Sequence, residues 1–405
     1  MAPNKVKRTR FVCVSDTHNC TVKLPKGDVL IHAGDLTNQG SYSELKKAVE
    51  WLEKAEFEAK IVIAGNHDLG LDSQFYREYG AYFHNNQEAR ESQECIDLLT
   101  SSPSLTYLNH TSAAVRLRDP KGPQTVFKVF GSPYSPRCGA WAFSYERSDA
   151  WRPDAELSSN RKTLPSLQEY HASLSAKDVW SAIPLDTDVL VTHTPPHLHC
   201  DEAASQRRAL GCEDLRQALW RVRPRLAVCG HVHEGRGAER VTWDIAGAPG
   251  GSINVRYGEL SVERWQDPGA AGPGRNTKMS LLDLTSRNGN RALDNDGSAS
   301  VSAQHAEASA AADLRTSHGN QLQDGQLSPD TARPGSGTLG LGGDPDFSAR
   351  CDRAALSGRM GRRETCVVNC AVMGSSYPHV GGKRLNKPIV VDLDLPVAKP
   401  EPEPA

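Results

Sequence analysis

Phe11-Val12-Cys13-Val14-Ser15-Asp16-Thr17-His18 is an apolar strand that runs into an acid, one spacer and a histidine. A buried β-strand delivers whatever follows its last residue to the carboxyl edge of a sheet, where α/β proteins gather their chemistry. Asp16 and His18 lie two apart, so both side chains can face one crevice. Hard carboxylate oxygen beside imidazole nitrogen suits Mn, Fe or Zn better than Ca. One such pair is weak by itself, and its weight depends on whether later strands end the same way.

They do. Val29-Leu30-Ile31-His32-Ala33 runs into Gly34-Asp35-Leu36, and Lys60-Ile61-Val62-Ile63-Ala64 into Gly65-Asn66-His67-Asp68. Between them Ser41-Tyr42-Ser43-Glu44 has the capping-box pattern, and Leu45, Ala48, Val49 and Leu52 recur at helical spacing. Further on, Asp188 to Thr192 ends in His193-Thr194-Pro195-Pro196, and Arg225 to Cys229 ends in Gly230-His231-Val232-His233. Strands alternating with helices, each finishing on candidate ligands, predict a largely parallel sheet with one active edge. Leu105 to Asn109, Ala113 to Leu117 and Thr125 to Gly131 are short and partly alternating, which predicts an added, more antiparallel sheet. Helices are expected over Ser92 to Leu99, Ser166 to Ala182 and Cys212 to Arg221, and strands over Val241 to Ala246 and Gly258 to Trp265.

The bulk composition narrows the class. A formal net charge of -2 gives no global attraction to nucleic acid or to an anionic membrane, so an anionic substrate needs a local positive charge. The ten cysteines have irregular spacing and no zinc-ribbon pattern, as expected of reduced thiols in a cytosolic protein. The basic start MAPNKVKRTR is followed by no apolar run as long as a signal-peptide h-region, and no stretch reaches membrane-spanning length. A cytoplasmic location is expected, with a weak nuclear signal as the other use of the basic start.

Beyond Trp265 the composition collapses. Phe347 is the one aromatic between Gln266 and Arg363, and Gly, Ser, Ala, Asp and Asn dominate. Such a stretch buries too little apolar surface to offset its chain entropy, so disorder is expected. Strand signals return at Thr365 to Cys370 and at Pro388 to Leu395. Residues 8–265 and 364–397 are therefore read as two parts of one domain, 266–363 as a disordered insertion between them, and 398–405 as a disordered tail.

Five strand ends carry carboxylate, amide and imidazole groups without a thiolate, a donor set for two divalent transition metals in a hydrolytic site. Asp35, the lone carboxylate at its strand end, is the candidate to bridge them. The chemistry implied is in-line attack of metal-bound hydroxide on phosphorus.

The runs DTH, GDL, GNHD, TH and GHVH, in this order at strand ends, resemble the five motifs of the calcineurin-like metallophosphoesterase superfamily. IHAGDLT, KIVIAGNHD, GSPYSP with WAF, THTPP and PRLAVCGHVHEG are similar to the small metallophosphoesterase-domain proteins of animals and fungi. That resemblance implies an α/β fold, a four-layer α/β/β/α sandwich with metals at the carboxyl ends of the central strands. It implies that Asp16, His18, Asp35 and His233 hold one ion (Mn, Fe or Zn), and that Asp35, Asn66, His193 and His231 hold the other. His67 would stand by the leaving group as general acid or as a donor to phosphoryl oxygen. Phosphodiesters, cyclic nucleotides among them, are the implied substrates, with phosphomonoesters also in reach.

Neighbouring residues get plainer expectations. Asp68 positions an imidazole or closes its turn, and His32 packs in the core or beside Asp35. His197, His199 and Asp201 are expected on a solvated loop, with contact to substrate as the alternative. Trp141 and Phe143 are expected to pack in the core or a lid, with stacking on a nucleobase as the alternative. Two other functions stay open. A phosphoprotein phosphatase is disfavoured because Gly34 to Gly40 lacks the arginine those enzymes carry after the second motif. A metal-holding scaffold would use residues 266–363 to recruit protein partners.

Overall fold

Strand β1 (Val6–Val14) alternates its side chains between two different cores. Phe11 and Cys13 face one apolar cluster, while Val12 and Val14 face another. Burial on both faces is what a central strand of a layered α/β fold requires. The computed structural model that shows this describes residues 5–84, 90–147, 174–203, 208–244, 258–267, 278–296, 361–374 and 382–398.

The chain continues through β2 (Val29–Ala33), helix α1 (Tyr42–Glu53), β3 (Ala59–Ile63), α2 (Ser73–Phe83), α3 (Arg90–Thr100), β4 (Thr106–Tyr107), β5 (Thr111–Arg116) and β6 (Val126–Ser132). Then come α4 (Ala176–Ser181), β7 (Val189–Thr192), α5 (Glu213–Val222), β8 (Leu226–Cys229), β9 (Gly237–Trp243), β10 (Glu259–Arg264), β11 (Ser280–Asp283), β12 (Glu364–Asn369) and β13 (Ile389–Pro396). One main sheet has the order β11-β13-β1-β2-β3-β4 and the other β10-β9-β12-β8-β7-β6-β5. In the first, β1 pairs antiparallel with β13 and parallel with β2, and β2, β3 and β4 continue parallel. In the second, β6, β7, β8 and β12 are parallel, flanked by antiparallel β5 and β9.

The two sheets pack face to face. Phe11, Ile31 and Ile61 of the first meet Phe127, Val191, Val228 and Val368 of the second. Leu30, Val62 and Val390 on the outer face of the first sheet pack on Leu45, Val49 and Leu52 of α1, with Tyr76 of α2 and Leu99 of α3 in the same cluster. Leu190, Ala227 and Val367 on the outer face of the second pack with Val179 of α4 and Leu215 and Leu219 of α5. This is the α/β/β/α sandwich implied by the motifs. Ser41 caps α1, its side chain accepting from Glu44 N–H while Glu44 reaches back to Ser41. Among the described residues no helix is long and apolar enough to cross a membrane.

Several details differ from the sequence reading. Leu105 to Asn109 was expected in an antiparallel sheet, but β4 is a short parallel edge beside β3, because the chain leaving α3 returns in the direction of β3. Helix α2 was not anticipated. The described part of the helix expected over 166–182 is α4, and 166–173 lie outside the described residues. Within the stretch expected to lack structure, Ser280–Asp283 forms β11, pairing with β13. Residues 268–277 and 297–360 of that stretch lie outside the described residues, as do 399–405 of the tail. Ala398 still donates to the Gln124 carbonyl at 2.9 Å. After the long stretch the chain enters both sheets, β12 between β9 and β8, β13 between β11 and β1. Arg10 locks the last strand to the first with two hydrogen bonds of 2.7 Å to Asp392.

Candidate metal centre

Parallel strands place their carboxyl ends on one edge, and the backbone there turns sharply to aim side chains inward. Asp16, His18, Asp35 and His231 have φ of 53°, 43°, 53° and 66°, in the left-handed region that non-glycine residues avoid. Such strain persists where surrounding contacts hold it. Here Asp16 N–H donates to the Gly34 carbonyl at 3.0 Å, and His18 N–H to the Asp35 carbonyl at 3.1 Å. His231 N–H donates to both Asp16 carboxylate oxygens, at 3.0 and 3.1 Å.

The glycines before the motif residues leave room for this convergence. A Cβ on Gly65 would lie 2.3 Å from Asp35 Oδ1, and one on Gly230 2.2 Å from Asp16 Oδ2. No side chain fits at either place.

All seven expected ligand residues are brought to one place. Asp16, His18 and His233 present ligand atoms within 4.8 Å of one another, as do Asp16, Asp35 and His193. His18 Nε2 is 3.7 Å from Asp35 Oδ2, and His193 Nε2 is 3.3 Å from Asp35 Oδ1, so Asp35 stands between the two groups. Asn66 Oδ1 lies 3.0 Å from His193 Nε2 and 2.8 Å from His231 Nδ1. His233 Nε2 is 3.3 Å from Asp16 Oδ1.

The protons on these rings decide whether a cation fits. His18 Nδ1 faces the Thr37 carbonyl at 3.0 Å, and His193 Nδ1 faces the Ala33 carbonyl at 2.9 Å. A carbonyl only accepts, so each Nδ1 carries a hydrogen and each neutral ring turns an Nε2 lone pair to the centre. There His18 Nε2 meets His233 Nε2 at 3.4 Å, and His193 Nε2 meets the Asn66 and Asp35 oxygens. Lone pairs gathered this closely repel unless a cation or extra protons stand between them. Two carboxylates, an amide oxygen and four imidazoles fit divalent transition metals in that role.

Without a cation, protons do this work. Burial pushes the Asp16 carboxyl up, but the hydrogen bond and charge of His233, helped by His193, outweigh it and hold the group at about 2. Burial also opposes ionisation of Asp35, yet His193, His67 and His18 keep it well below the usual carboxylate range. In return His193, which burial alone would lower, is raised to about 9 by Asp35. His231 is pushed down to about 3 by burial and by the charge on His193, leaving it neutral.

His67 lies at the rim. Its backbone N–H donates to Asp35 Oδ1 at 2.9 Å and its ring Nδ1 to the Asn38 carbonyl at 2.7 Å. Asp68 closes its turn and does more. Its buried carboxylate accepts from Gly65 N–H, Leu36 N–H, Thr37 N–H and Thr37 Oγ1, tying the loops after β2 and β3 together. Burial, then the charge of Asp35, raises it to about 6. His32 is buried and its Nε2 lies 3.0 Å from Thr17 Oγ1, supporting the turn between Asp16 and His18. Trp141 packs on His67 itself, ring centroids 3.9 Å apart.

The loop after His193 turns its polar side chains inward and leaves Leu198 exposed. His197, His199 and Asp201 are all buried. His199 Nδ1 is 3.0 Å from Glu239 Oε2 and its Nε2 3.1 Å from Glu259 Oε1. Asp201 Oδ2 accepts from Leu198 N–H at 3.0 Å and Gly211 N–H at 2.8 Å. The His199 partners come from the distant strands β9 and β10, so spacing along the chain could not reveal them.

A family model described as calcineurin-like phosphoesterase matches residues 9–235. Metallophosphoesterase domain-containing protein 1 of Homo sapiens, like that of Mus musculus, is 36% identical over 244 residues, covering 58% of this chain and 64% of theirs. The probable rhamnogalacturonate lyase C of Emericella nidulans is 41% identical over 238 residues, covering 58% of this chain and 18% of that protein. The chain thus spans less than two thirds of the length of these curated relatives. A purple acid phosphatase from yellow lupin (Lupinus luteus) seeds aligns over 60% of this chain and 40% of its own, with 12% identity and a TM-score of 0.30.

Proposed function

Because the chain belongs to the calcineurin-like phosphoesterase family, we propose that it hydrolyses small phosphodiesters, nucleotides among them, with two divalent metal ions. The observation that carries this reading is the meeting of five strand ends around Asp35, with donors on both of its carboxylate oxygens. Asp16, His18, Asp35 and His233 would hold one ion, and Asp35, Asn66, His193 and His231 the other. Divalent ions there supply Lewis acidity to a water molecule and to the phosphoryl oxygens, the local positive charge that the neutral composition lacks.

The chain's own residues supply the rest. His18 and His193 keep their Nδ1 protons on backbone carbonyls and so present fixed Nε2 donors. Asp68 holds the two loops that carry Asp35 and Asn66 in register. His67, its Nδ1 committed to Asn38, gives a proton from Nε2 to the leaving-group oxygen.

Protein stripped with chelator and refilled with Mn should hydrolyse an aryl phosphodiester. Absence of hydrolysis with each of Mn, Fe, Co and Zn would refute the proposal.

A further inference from the structure

A ring held by one hydrogen bond can still swing about it. His67 is held at Nδ1 by the Asn38 carbonyl and touches His18 edge to face, with centroids 4.9 Å apart. What blocks the swing is Trp141, whose ring lies against a face of His67 at 3.9 Å, with the two planes 31° apart.

Trp141 is itself anchored. The next residue, Ala142, donates its N–H to the Asn66 carbonyl at 3.2 Å. Phe143 N–H donates to Asp72 Oδ2 at 2.9 Å, while Asp72 Oδ1 caps α2 by accepting from Phe75 N–H at 3.0 Å. Phe83, the last residue of α2, packs against Trp141 with centroids 5.7 Å apart, and Phe75 backs Phe83 at 6.1 Å. One carboxylate thus sets both the start of a helix and the loop bearing the indole, and the end of that helix supports the indole.

We propose that Trp141 is a positioning residue for His67, holding the imidazole plane at the angle from which Nε2 reaches the leaving-group oxygen. This rests on His67 acting as the proton donor. As the P–O bond breaks, its electron pair stays on the departing oxygen, which takes the proton from Nε2. Water supplies the oxygen that phosphorus gains, and His67 recovers its proton from solvent.

Leaving groups separate this role from mere packing. Methyl p-nitrophenyl phosphate expels a stable anion and needs little protonation, whereas methyl phenyl phosphate needs much more. Trp141→Leu keeps apolar bulk but removes the flat face. It should lower kcat about tenfold on the phenyl ester and less than about twofold on the p-nitrophenyl ester, with KM and metal content unchanged. Trp141→Phe should restore most of the loss. Added to His67→Ala, Trp141→Leu should change the rate by less than about twofold, because the two act as one unit. In NMR spectra the His67 ring-proton shift caused by the indole should vanish in Trp141→Leu. Should that variant not fold, Trp141→Met carries the same test.

Equal losses on both esters, full additivity with His67→Ala, or an effect on KM alone would overturn the proposal, the last pointing to direct substrate stacking. A slow His67→Ala beside a normal Trp141→Leu would also overturn it while leaving the proton-donor reading intact. A His67→Ala that is normal on the phenyl ester would remove that reading, and this proposal with it.

Discussion

At the scale of single residues, position along the chain and position in the site make different demands. The seven candidate ligands follow strand ends, so short local patterns carry them. Asp68, His32 and His199 act through partners far along the chain or on other elements, and no local pattern announces them. His67→Ala should keep its metals and lose on the order of 10²-fold or more in kcat on an ester with a poor leaving group. Asn66→Ala removes the oxygen lying between His193 and His231, so metal analysis should find one ion fewer per chain and hydrolysis should nearly cease. Gly65→Ala tests the crowding directly. Its Cβ would press on Asp35 at 2.3 Å, and metal affinity should fall about tenfold or more, read by titration with Mn.

At the scale of elements, local preference and tertiary context part company. Residues 280–283 read as unstructured because their neighbours are polar and small, and β11 owes its form to pairing with β13. Helix α2 is rich in aromatics and contains Gly80, both poor for intrinsic helicity, although Asp72 at its N-cap was a usable start signal. The loop after β7 is stapled to β9 and β10 by His199 between Glu239 and Glu259, carboxylates that Arg264 and Arg216 also pair. Burial would lower the His199 imidazole, but hydrogen bonds to both glutamates raise it to about 8. A histidine raised in the folded state stabilises fully below its unfolded pKa of about 6.5, and that contribution is lost as pH climbs through 8. Urea denaturation should therefore show about 2 kcal/mol less stability at pH 9 than at pH 6 from this residue, at about 1.4 kcal/mol per unit of pKa. His199→Gln should flatten that difference, and an unchanged pH dependence in the variant would contradict the staple.

At the scale of the molecule, the chain segments on either side of 297–360 lie together. Asn295 bridges Arg362, and the N–H groups of Arg363 and Glu364 both donate to the Asp294 carbonyl at 3.0 Å. A short Gly-Ser link in place of 297–360 should leave metal content and turnover unchanged, and shortening the loop about tenfold should add about 2 kcal/mol of stability. Loss of folding on that replacement would show that the segment belongs to the domain. The layered fold was legible because its strands are apolar and its motifs end them. The split of the last two strands between different sheets was not, since pairing partners are a property of the assembled molecule.

The centre itself is tested most directly by counting ions in purified protein while following hydrolysis of an aryl phosphodiester. Two divalent ions per chain, with activity lost to chelator and restored by Mn, is the expected result. A chain that hydrolyses the ester equally well after complete stripping, or that binds no ion at Asp16, Asp35 and His193, would contradict the account.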